Sequence, residues 1–188
     1  MDGDEPTLNF VELSKTVSHA LRHEPWLYEL ELDEEGWASV DGVLSALRGE
    51  RYEWKSLTEA DLVHMIAASS KRRHEISGRR IRALYGHSVP GRLWKTPAVP
   101  PDLLFHGTAP TSLPYIRSSG LLPMGRHYVH LSIDTATAEQ VGRRKSPRPT
   151  ILRVLASKAH ANGVHFYEGN EKVWLADHVP AHFITFDE

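Results

Sequence analysis

The sequence predicts an α+β protein built from two lobes, and three observations support this prediction. The chain before residue 86 shows three amphipathic helices followed by a hairpin. The segment "TPAVPPD", residues 96–102, has three prolines in seven residues and is typical of a stiff linker. After it, short apolar strands alternate with short helices. We therefore expect one lobe at residues 1–95 and another at 103–188, joined by a linker at 96–102.

The first predicted helix has a clear beginning and a clear end. Asn9 can cap it, and Glu12 stands three residues later at the capping-box position. Apolar residues then recur at helical spacing. Pro25 disfavours a helical conformation in the residue before it. The helix should therefore end near His23.

A strand, a turn and a second helix are predicted next. "LELDEEGWASV", residues 30–40, indicates a short strand, a turn at Glu35-Gly36 and another short strand. Asp41 begins the second helix, which runs to about Leu47 and is stopped by Gly49.

The third helix and the hairpin complete the first lobe. Thr58 caps the helix, with Asp61 at the capping-box position. "RHEISGRRIRALY", residues 73–85, predicts a hairpin that turns at Ser77-Gly78. Three helices followed by a hairpin form a winged-helix pattern, which nucleic-acid-binding domains often have. A structural or protein-binding module is the alternative.

The second lobe is predicted to contain several short strands. "LLFHGT", "YVHLSI" and "TILRVLA" indicate strands, and "VHFYEGNEKVWLADHVPAHFITF" two or three more. "TSLPYIRSSG" indicates a helix closed by Gly120, and "DTATAEQVGRR" a helix capped by Asp134.

The charge is distributed unevenly along the chain, although the net charge is only −2. Residues 1–70 hold 5 Lys and Arg against 15 Asp and Glu, residues 71–153 hold 15 against 4, and residues 154–188 hold 2 against 5. A basic zone rich in arginine suggests that the protein binds nucleic acid or another polyanion. Alternatively, these cations pair with the acidic first third of the chain.

Several functional classes are excluded by what the sequence lacks. There is no cysteine, so disulfides, cysteine–zinc sites and a cysteine nucleophile are ruled out. The opening "MDGDEPTLNF" does not resemble a signal peptide, and no apolar run approaches the roughly 20 residues that span a bilayer. We expect a soluble, cytoplasmic protein. The motifs GxGxxG, GxxxxGK, HExxH and GxSxG are also missing.

Arg22 and His23 form the first candidate site, in "ALRHEP". The C-terminal end of a helix carries the negative pole of the helix dipole, which favours a protonated imidazole. Successive helical side chains point about 100° apart, so both can bind one anion only if it lies beyond the helix terminus. The alternative is a simple charge cap of the helix.

A basic hairpin forms the second candidate site. Six cations occur in the twelve residues from Lys71 to Arg82. Alternate residues of a strand share a face, so some of these arginines must face the core side or the interface between the lobes. An arginine at an interface usually has an anion to bind. A solvated basic hairpin is the alternative.

Two strands of the second lobe bear a histidine near their end, in "FHGT" and "VHLS". A neutral imidazole and nearby backbone groups in a β-lined cleft can bind ribose hydroxyls and an amide. The alternative for each is an ordinary core histidine. In "VGRRKSPRP", four cations precede a buried strand, and a helix C-terminal charge cap is again the alternative.

Taken together and in this order, these segments resemble the NAD-dependent RNA 2′-phosphotransferases, the tRNA 2′-phosphotransferase or KptA type. The resemblance covers about residues 12 to 184. It rests on "LSKTVSHALRHEP", "LELDEEGWASVDGVL", "KRRHEISGRRIRALYGHSVPG", "LLFHGT", "SGLLPMGRHYVHLS", "VGRRKS" and "VWLADHVP".

The resemblance implies a winged-helix RNA-binding lobe and an ADP-ribosyltransferase-like NAD-binding lobe with short split β-sheets. It implies an enzyme that removes an internal 2′-phosphate from RNA, such as the phosphate left by tRNA splicing, and transfers it to NAD. A 2′-phospho-ADP-ribosylated RNA is the intermediate. The products are nicotinamide, ADP-ribose 1″,2″-cyclic phosphate and RNA with a 2′-hydroxyl. NAD is consumed as a co-substrate, no metal is needed, and a monomer is expected.

The resemblance also implies roles for individual residues. Arg22, Arg73 and Arg144 would hold the phosphate, and His23 would either donate to a phosphate oxygen or handle the proton of the 2″-hydroxyl. The NAD-binding set would be His106, Gly107, Thr108, Arg126, His130 and Ser132. The RNA- and phosphate-binding set would add Lys71, Arg82, His87 and Ser88.

This sequence departs from the family's pattern at three places. His74 stands where an aromatic residue usually follows the catalytic arginine. Leu84 and Tyr85 stand where the family often has Asn and Gln. "RKSPRP" replaces the more common RHGKP, which leaves the choice between Arg143 and Arg144 open.

Two other functions are compatible with parts of the sequence. An ADP-ribosyltransferase acting on phosphorylated nucleic-acid ends would use the same NAD lobe and stop after the first step. A non-catalytic winged-helix nucleic-acid-binding protein would bind no NAD, and it leaves "FHGT" and "VHLS" unexplained.

Overall fold

The structure, a computed structural model, describes residues 7–85 and 95–186. The chain forms two compact units, Met1–Gly91 and Arg92–Glu188. The helices are α1 (Phe10–Arg22), α2 (Val40–Glu50), α3 (Glu59–Ala68), α4 (Leu113–Ser119), α5 (Thr135–Arg143) and α6 (Ala156–Ala161). The strands are β1 (Ala38–Ser39), β2 (His74–Ser77), β3 (Arg80–Ala83), β4 (Thr96–Pro97), β5 (Leu103–Thr108), β6 (Val129–Ser132), β7 (Thr150–Leu155), β8 (Phe166–Glu168), β9 (Val173–Ala176) and β10 (Ile184–Thr185). The predicted α+β class is confirmed.

Helix α1 has the boundaries that the sequence predicts. The side-chain oxygen of Asn9 accepts hydrogen bonds from two backbone N–H groups of the first turn, at 3.1 and 3.2 Å. The helix ends at Arg22, with His23 as its C-cap residue, and Pro25 begins a 3₁₀ turn. The Arg22-His23 pair therefore stands at the C-terminal end of α1.

The predicted strand–turn–strand at residues 30–40 is only partly present. The turn exists, but of the two strands only β1 forms. The Asp33 carboxylate accepts hydrogen bonds from the backbone N–H groups of Glu35 and Trp37, at 3.0 and 2.9 Å. Before the turn, the Leu30 N–H donates to the Pro25 carbonyl oxygen at 2.9 Å, so this group is satisfied without a paired strand.

Helix α2 is longer than predicted at both ends. It begins at Val40 because Ser39 caps it, with the hydroxyl accepting from the Gly42 N–H at 2.9 Å. It continues to Glu50, so the predicted stop at Gly49 is wrong. A single glycine costs a helix only about 1 kcal/mol relative to alanine, which the packing of α2 outweighs.

Helix α3 and the hairpin follow the prediction closely. Thr58 and Asp61 form a reciprocal capping box at the start of α3. Strands β2 and β3 pair around a turn at Gly78 and Arg79, one residue later than predicted, and Gly78 adopts a positive φ of 58°. Strand β3 also pairs with β1, so the order of this sheet is β1-β3-β2.

The first unit has one hydrophobic core between its helices and its sheet. Helices α1, α2 and α3 and strand β3 all contribute buried side chains. They include Leu13, Val17, Leu21, Val43, Leu44, Leu47, Leu62, Met65 and Ile81.

The second unit is built on a seven-stranded antiparallel sheet in the order β10-β7-β5-β6-β9-β8-β4. Short split sheets were expected, whereas the structure has one hydrogen-bonded sheet. Few residue pairs join the two strands at its middle. Strands β5 and β6 share a single pair, Phe105 with Ser132, whereas β5 and β7 share six pairs and β6 and β9 share four. Beyond Phe105, the backbone of β5 therefore forms no further residue pairs with β6.

The proline-rich segment is not entirely a linker. Thr96 and Pro97 form β4, which pairs with Glu168 and Tyr167 of β8. The fixed φ of proline suits the edge of a sheet, where its missing N–H is not needed.

Across the described ranges 7–85 and 95–186, no helix is both long enough and apolar enough to cross a membrane.

Candidate active site

The end of α1 and the start of the hairpin are joined at Arg73. The Nη2 atom of Arg22 donates to the carbonyl oxygen of Arg73 at 3.4 Å, and the same oxygen accepts from the Leu84 N–H at 3.0 Å. The guanidinium of Arg22 lies 4.9 Å from the centre of the Tyr85 ring, and the ammonium of Lys71 also lies 4.9 Å from it. Arg22 of α1 and Lys71 of the hairpin start thus share the Tyr85 ring, and Arg22 also reaches the backbone of Arg73.

A buried histidine lies next to these cations. His74 is only 2% exposed, and its Nε2 atom forms a 3.0 Å hydrogen bond with the Oγ atom of Ser18 on α1. Burial, followed by the positive charges of Arg22 and Arg73, lowers the pKa of His74 to about 4. The ring is therefore neutral near pH 7.

His23 is exposed at the C-terminus of α1, beside Arg22. Its ring centre lies 6.2 Å from that of His19, one turn earlier. His19 contacts the Glu24 carboxylate at 2.9 Å through Nε2 and the Tyr28 hydroxyl at 2.9 Å through Nδ1. These contacts fix the chain on both sides of the Arg22-His23 pair.

Four other arginines of the basic hairpin are paired with carboxylates. The pairs are Arg72 with Glu75 at 3.7 Å, Arg79 with Asp41 at 2.6 Å, Arg80 with Asp33 at 3.5 Å, and Arg82 with Glu75 at 2.6 Å. Arg80 and Arg82 also stack on Trp37, at 5.1 and 4.4 Å from the ring centre. Arg79, Arg80 and also Arg82, which lies 3.7 Å from Glu35, pair with the acidic first third of the chain, as the alternative to a polyanion site expects. The predicted RNA contacts His87 and Ser88 lie outside the described residues.

The buried polar side chains of residues 95–186 cluster on β5, β6 and α5. They are His106, Thr108, His130, Ser132 and Thr137. Four of them belong to the predicted NAD-binding set, and sequence reasoning missed Thr137. The available signal was its position three residues after the capping Asp134, which turns it towards the strands.

His106 spans the weak junction of the sheet. Its Nδ1 atom lies 2.9 Å from the carbonyl oxygen of His130. A carbonyl oxygen can only accept, so Nδ1 carries the proton and donates it. The imidazole thus takes the place of a ladder hydrogen bond that β5 and β6 do not make, and this fixes the orientation of the ring.

Gly107 is required by the close crossing of β5 and α5. A Cβ atom at Gly107 would lie 1.9 Å from the carbonyl oxygen of Ala138 and 2.9 Å from the Cα of Gly142. A Cβ atom at Gly142 would lie 3.0 Å from the Cα of Gly107. Lys145 adds a hydrogen bond from its Nζ to the Gly107 carbonyl oxygen, at 3.3 Å.

The two candidate arginines at the end of α5 differ in their surroundings. Arg143 is exposed, and its Nη2 lies 2.6 Å from the Glu139 carboxylate one turn earlier. Arg144 is half-buried and is the C-cap residue of α5, close in sequence to Gly142. Arg126, the remaining predicted NAD contact, is half-buried before β6.

Within residues 7–85 and 95–186, the structure contains no group of three or more His, Asp or Glu side chains that could hold a metal ion.

The two units carry different kinds of functional side chains. The first provides guanidinium and ammonium groups that suit a phosphate. The second provides buried imidazole and hydroxyl groups beside a glycine-lined strand, which suit a sugar and an amide. These features, on an α+β scaffold, define a phosphate-handling enzyme of the transferase class.

Comparison with known proteins identifies the family. A family model described as "RNA 2′-phosphotransferase, Tpt1 / KptA family" matches residues 9–178. The chain therefore belongs to this family, as its motifs predicted. It is a transferase that removes the 2′-phosphate from RNA, with NAD as the co-substrate that the family uses.

Similar proteins extend over nearly the whole chain, and each is named "Probable RNA 2′-phosphotransferase". One from Bacillus thuringiensis subsp. konkukian is 54% identical over 179 residues, covering 95% of this chain and 96% of its own. One from Acetivibrio thermocellus is 50% identical, covering 96% and 98%. One from Streptomyces coelicolor is 41% identical, covering 94% of each.

Proposed function

We propose that this enzyme transfers an internal 2′-phosphate of tRNA-type RNA to NAD in two steps, as a cytoplasmic monomer. The first unit would be a winged-helix RNA-binding domain and the second an ADP-ribosyltransferase-like NAD-binding domain. The observation that carries the proposal is the grouping of Arg22, Lys71 and Arg73 at the start of the hairpin. In contrast, the arginines further along the hairpin are neutralised by carboxylates.

The first step joins the RNA to ADP-ribose. An oxygen of the 2′-phosphate attacks C1″ of the nicotinamide ribose, the C1″–N bond breaks, and nicotinamide leaves with the bonding electron pair. A phosphate dianion is already a nucleophile, so this step needs no general base. Arg22 and Arg73 contribute by neutralising charge and orienting the phosphate, which brings two polyanions together.

The second step releases the RNA. The 2″-hydroxyl attacks the phosphorus of the new phosphodiester, the bond to the RNA 2′-oxygen breaks, and that oxygen takes a proton. The phosphorane-like transition state carries more charge than the ground state, so fixed guanidinium groups act most strongly here. We assign Arg144 to this charge and His23 to the phosphate oxygen or to the 2″-hydroxyl proton. The Arg143–Glu139 pair supports Arg144 over Arg143 in this role.

The second unit would bind NAD through the cluster at the β5–β6 junction. Gly107 would meet the nicotinamide amide through its backbone, because a glycine has no side chain of its own to block the approach. We assign the ribose to His106, whose ring orientation is fixed by the His130 carbonyl. Thr108, His130 and Ser132 complete the set of buried polar groups, and Arg126 would contact a phosphate of NAD.

RNA would be held mainly at the start of the hairpin. We propose Lys71 as a phosphate contact, together with His87 and Ser88 further along the chain. Arg82 is the weakest member of this set, because Glu75 and Trp37 already engage its guanidinium.

One experiment tests the proposed function and its alternatives. The protein is incubated with NAD and a short RNA carrying one internal 2′-phosphate, and products are separated by mass. We expect loss of the 2′-phosphate, release of nicotinamide and formation of ADP-ribose 1″,2″-cyclic phosphate, all dependent on NAD. The same RNA with a 2′-hydroxyl is the control.

Other outcomes of that experiment point elsewhere. A stable ADP-ribosylated RNA would indicate an ADP-ribosyltransferase that stops after the first step. Binding of RNA without any NAD dependence would indicate a nucleic-acid-binding protein and overturn both catalytic functions.

A further inference from the structure

The contact between His74 and Ser18 joins two segments that each supply a phosphate-binding arginine. Ser18 lies on α1, one turn before Arg22, and His74 follows Arg73 directly at the start of β2. The two side chains meet at 3.0 Å although 56 residues separate them. The contact of Arg22 with the same segment is made to the backbone of Arg73.

The alternation of side chains along a strand explains why His74 can act on Arg73. His74 is buried, and Arg73, its neighbour, is exposed. Successive strand residues point to opposite faces, so anchoring the imidazole in the interior directs the preceding guanidinium outward. The carbonyl oxygen of Arg73, which accepts from both Arg22 and Leu84, is held at the same point.

We propose that His74 is a positioning residue of this enzyme, which sets the separation of the Arg22 and Arg73 guanidinium groups through its hydrogen bond with Ser18. The inference rests on the proposed roles of Arg22 and Arg73 in binding the phosphate. It assigns a purpose to a residue that stands where the family usually has an aromatic side chain. A phenyl ring could fill the same space but could not bond to Ser18, whereas an imidazole can do both.

The chemistry at this position requires a neutral hydrogen-bonding group. A protonated ring would place a third positive charge beside two guanidinium groups, which would repel it. A neutral imidazole fills the space and bonds to the hydroxyl without adding charge.

The test uses side chains that keep or remove this hydrogen bond. His74→Leu and Ser18→Ala remove it, whereas His74→Gln places an amide near the position of Nε2 and retains it. Each variant is assayed with NAD and the 2′-phosphorylated RNA for kcat and for the KM of both substrates, and its thermal midpoint is measured. Ser14→Ala, the same change one turn earlier on α1 at a buried serine, is the matched control.

We expect His74→Leu and Ser18→Ala to lower kcat/KM for the RNA by roughly 10- to 100-fold, as small misplacements of binding groups do. The KM for NAD should stay within about twofold. His74→Gln should retain most of the parent activity. The double variant His74→Leu/Ser18→Ala should have about the same kcat/KM for the RNA as the less active of the two single variants. Both changes delete the same hydrogen bond, so their effects should not add.

Ser18→Ala separates positioning from simple stability. Ser18→Ala leaves the buried Nε2 atom of His74 without its partner, which costs about 1–3 kcal/mol and is only partly offset by the better helix propensity of alanine. Assays well below the thermal midpoint keep each variant folded, so a loss of kcat/KM for the RNA there reports positioning and not unfolding. The inference is overturned if Ser18→Ala has the activity of Ser14→Ala, if His74→Gln loses as much as His74→Leu, or if the two changes add in the double variant.

Arg22→Ala and Arg73→Ala distinguish this inference from the function on which it rests. If both keep full activity, the proposed phosphate site is wrong. If both lose activity while His74→Leu and Ser18→Ala keep it, only the role of His74 is wrong.

Discussion

The β2–β3 hairpin carries arginines both at its start and at its tip, but the side chains that surround them differ. At the start, Arg73 is grouped with Lys71, Arg22 and the Tyr85 ring. Towards the tip, Arg79 and Arg80 are held by carboxylates from the preceding helices and loops. Both ends contribute equally to the basic zone of the sequence.

The difference shows that pairing, not the number of cations, decides where an anion can bind. An arginine with a carboxylate 2.6 Å away must lose that partner before a phosphate gains it, so the exchange yields little free energy. At the hairpin start, the neighbours of Arg73 are other cations, an aromatic face and a neutral imidazole. A polyanion brought there meets a group of positively charged side chains.

The largest expected effect tests this comparison directly. Arg73→Ala should lower kcat/KM for the 2′-phosphorylated RNA by roughly 10²- to 10³-fold, the usual effect of removing one donor to a charged transition state. Arg80→Ala, at the other end of the hairpin, should stay within about threefold. Steady-state kinetics with NAD and the RNA measures both. Equal losses in the two variants would contradict the distinction between the two ends.

The pKa of His74 is lowered first by burial and then by the positive charges of Arg22 and Arg73. The folded protein binds the imidazole proton only below about pH 4, whereas the unfolded chain binds it below its ordinary value of 6.5. The unfolded state thus holds more protons between these values, so stability falls as the pH drops from 6.5 to 4. The loss should be about 3 kcal/mol, at 1.36 kcal/mol per pKa unit.

Urea unfolding of the parent and of His74→Gln at several pH values checks this expectation. The glutamine variant should lack this part of the pH dependence. His64→Gln, at an exposed position, should retain it. A parent protein that loses no more stability than His74→Gln over this range would show that the ring is not held neutral.

In the second unit, Arg143 and Arg144 are adjacent in sequence but lie in different surroundings. Arg143 is exposed and paired with Glu139, and Arg144 is half-buried at the end of α5. Arg144→Ala should slow the second step by roughly 10²-fold, more than the first, so that ADP-ribosylated RNA accumulates. Arg143→Ala should lose only its surface pair with Glu139, which contributes at most about 1 kcal/mol to stability. Rapid-quench single-turnover assays resolve the intermediate. Accumulation in the Arg143 variant instead would reverse the assignment.

The smallest expected effect concerns RNA binding before chemistry. Lys71→Gln should weaken binding of the RNA a few-fold and lower the slope of log affinity against log salt by about 0.7, the value for one contact to a single strand. Arg79→Gln is the control for an already paired cation and should leave the slope unchanged. Fluorescence titrations at several salt concentrations measure both slopes, and equal changes would weaken the comparison.

Local signals in the sequence predict local structure well. The cap at Asn9 and the break at Pro25 define α1, and Thr58 with Asp61 defines the start of α3. These signals work because each involves hydrogen bonds or steric limits within a few residues. The strand expected near Leu30 does not form for a related reason: the Leu30 N–H already donates to the nearby Pro25 carbonyl oxygen.

Long-range features of the site could not be predicted in the same way. The hydrogen bond of His74 to Ser18 and the pairing of β4 with β8 join residues whose meeting depends on the whole fold. The motifs predicted which residue types matter, but the ion pairs of Arg79, Arg80 and Arg82 became visible only in three dimensions.

The crossing of Gly107 and Gly142 has a genetic consequence. A clash of a large side chain can often be relieved by shrinking its neighbour, but neither of these residues has a side chain to shrink. The nearest atom to a new Cβ at position 107 is the backbone oxygen of Ala138, which no substitution removes. A search for second-site suppressors of Gly107→Ala should therefore recover revertants to glycine and no compensating change at position 142.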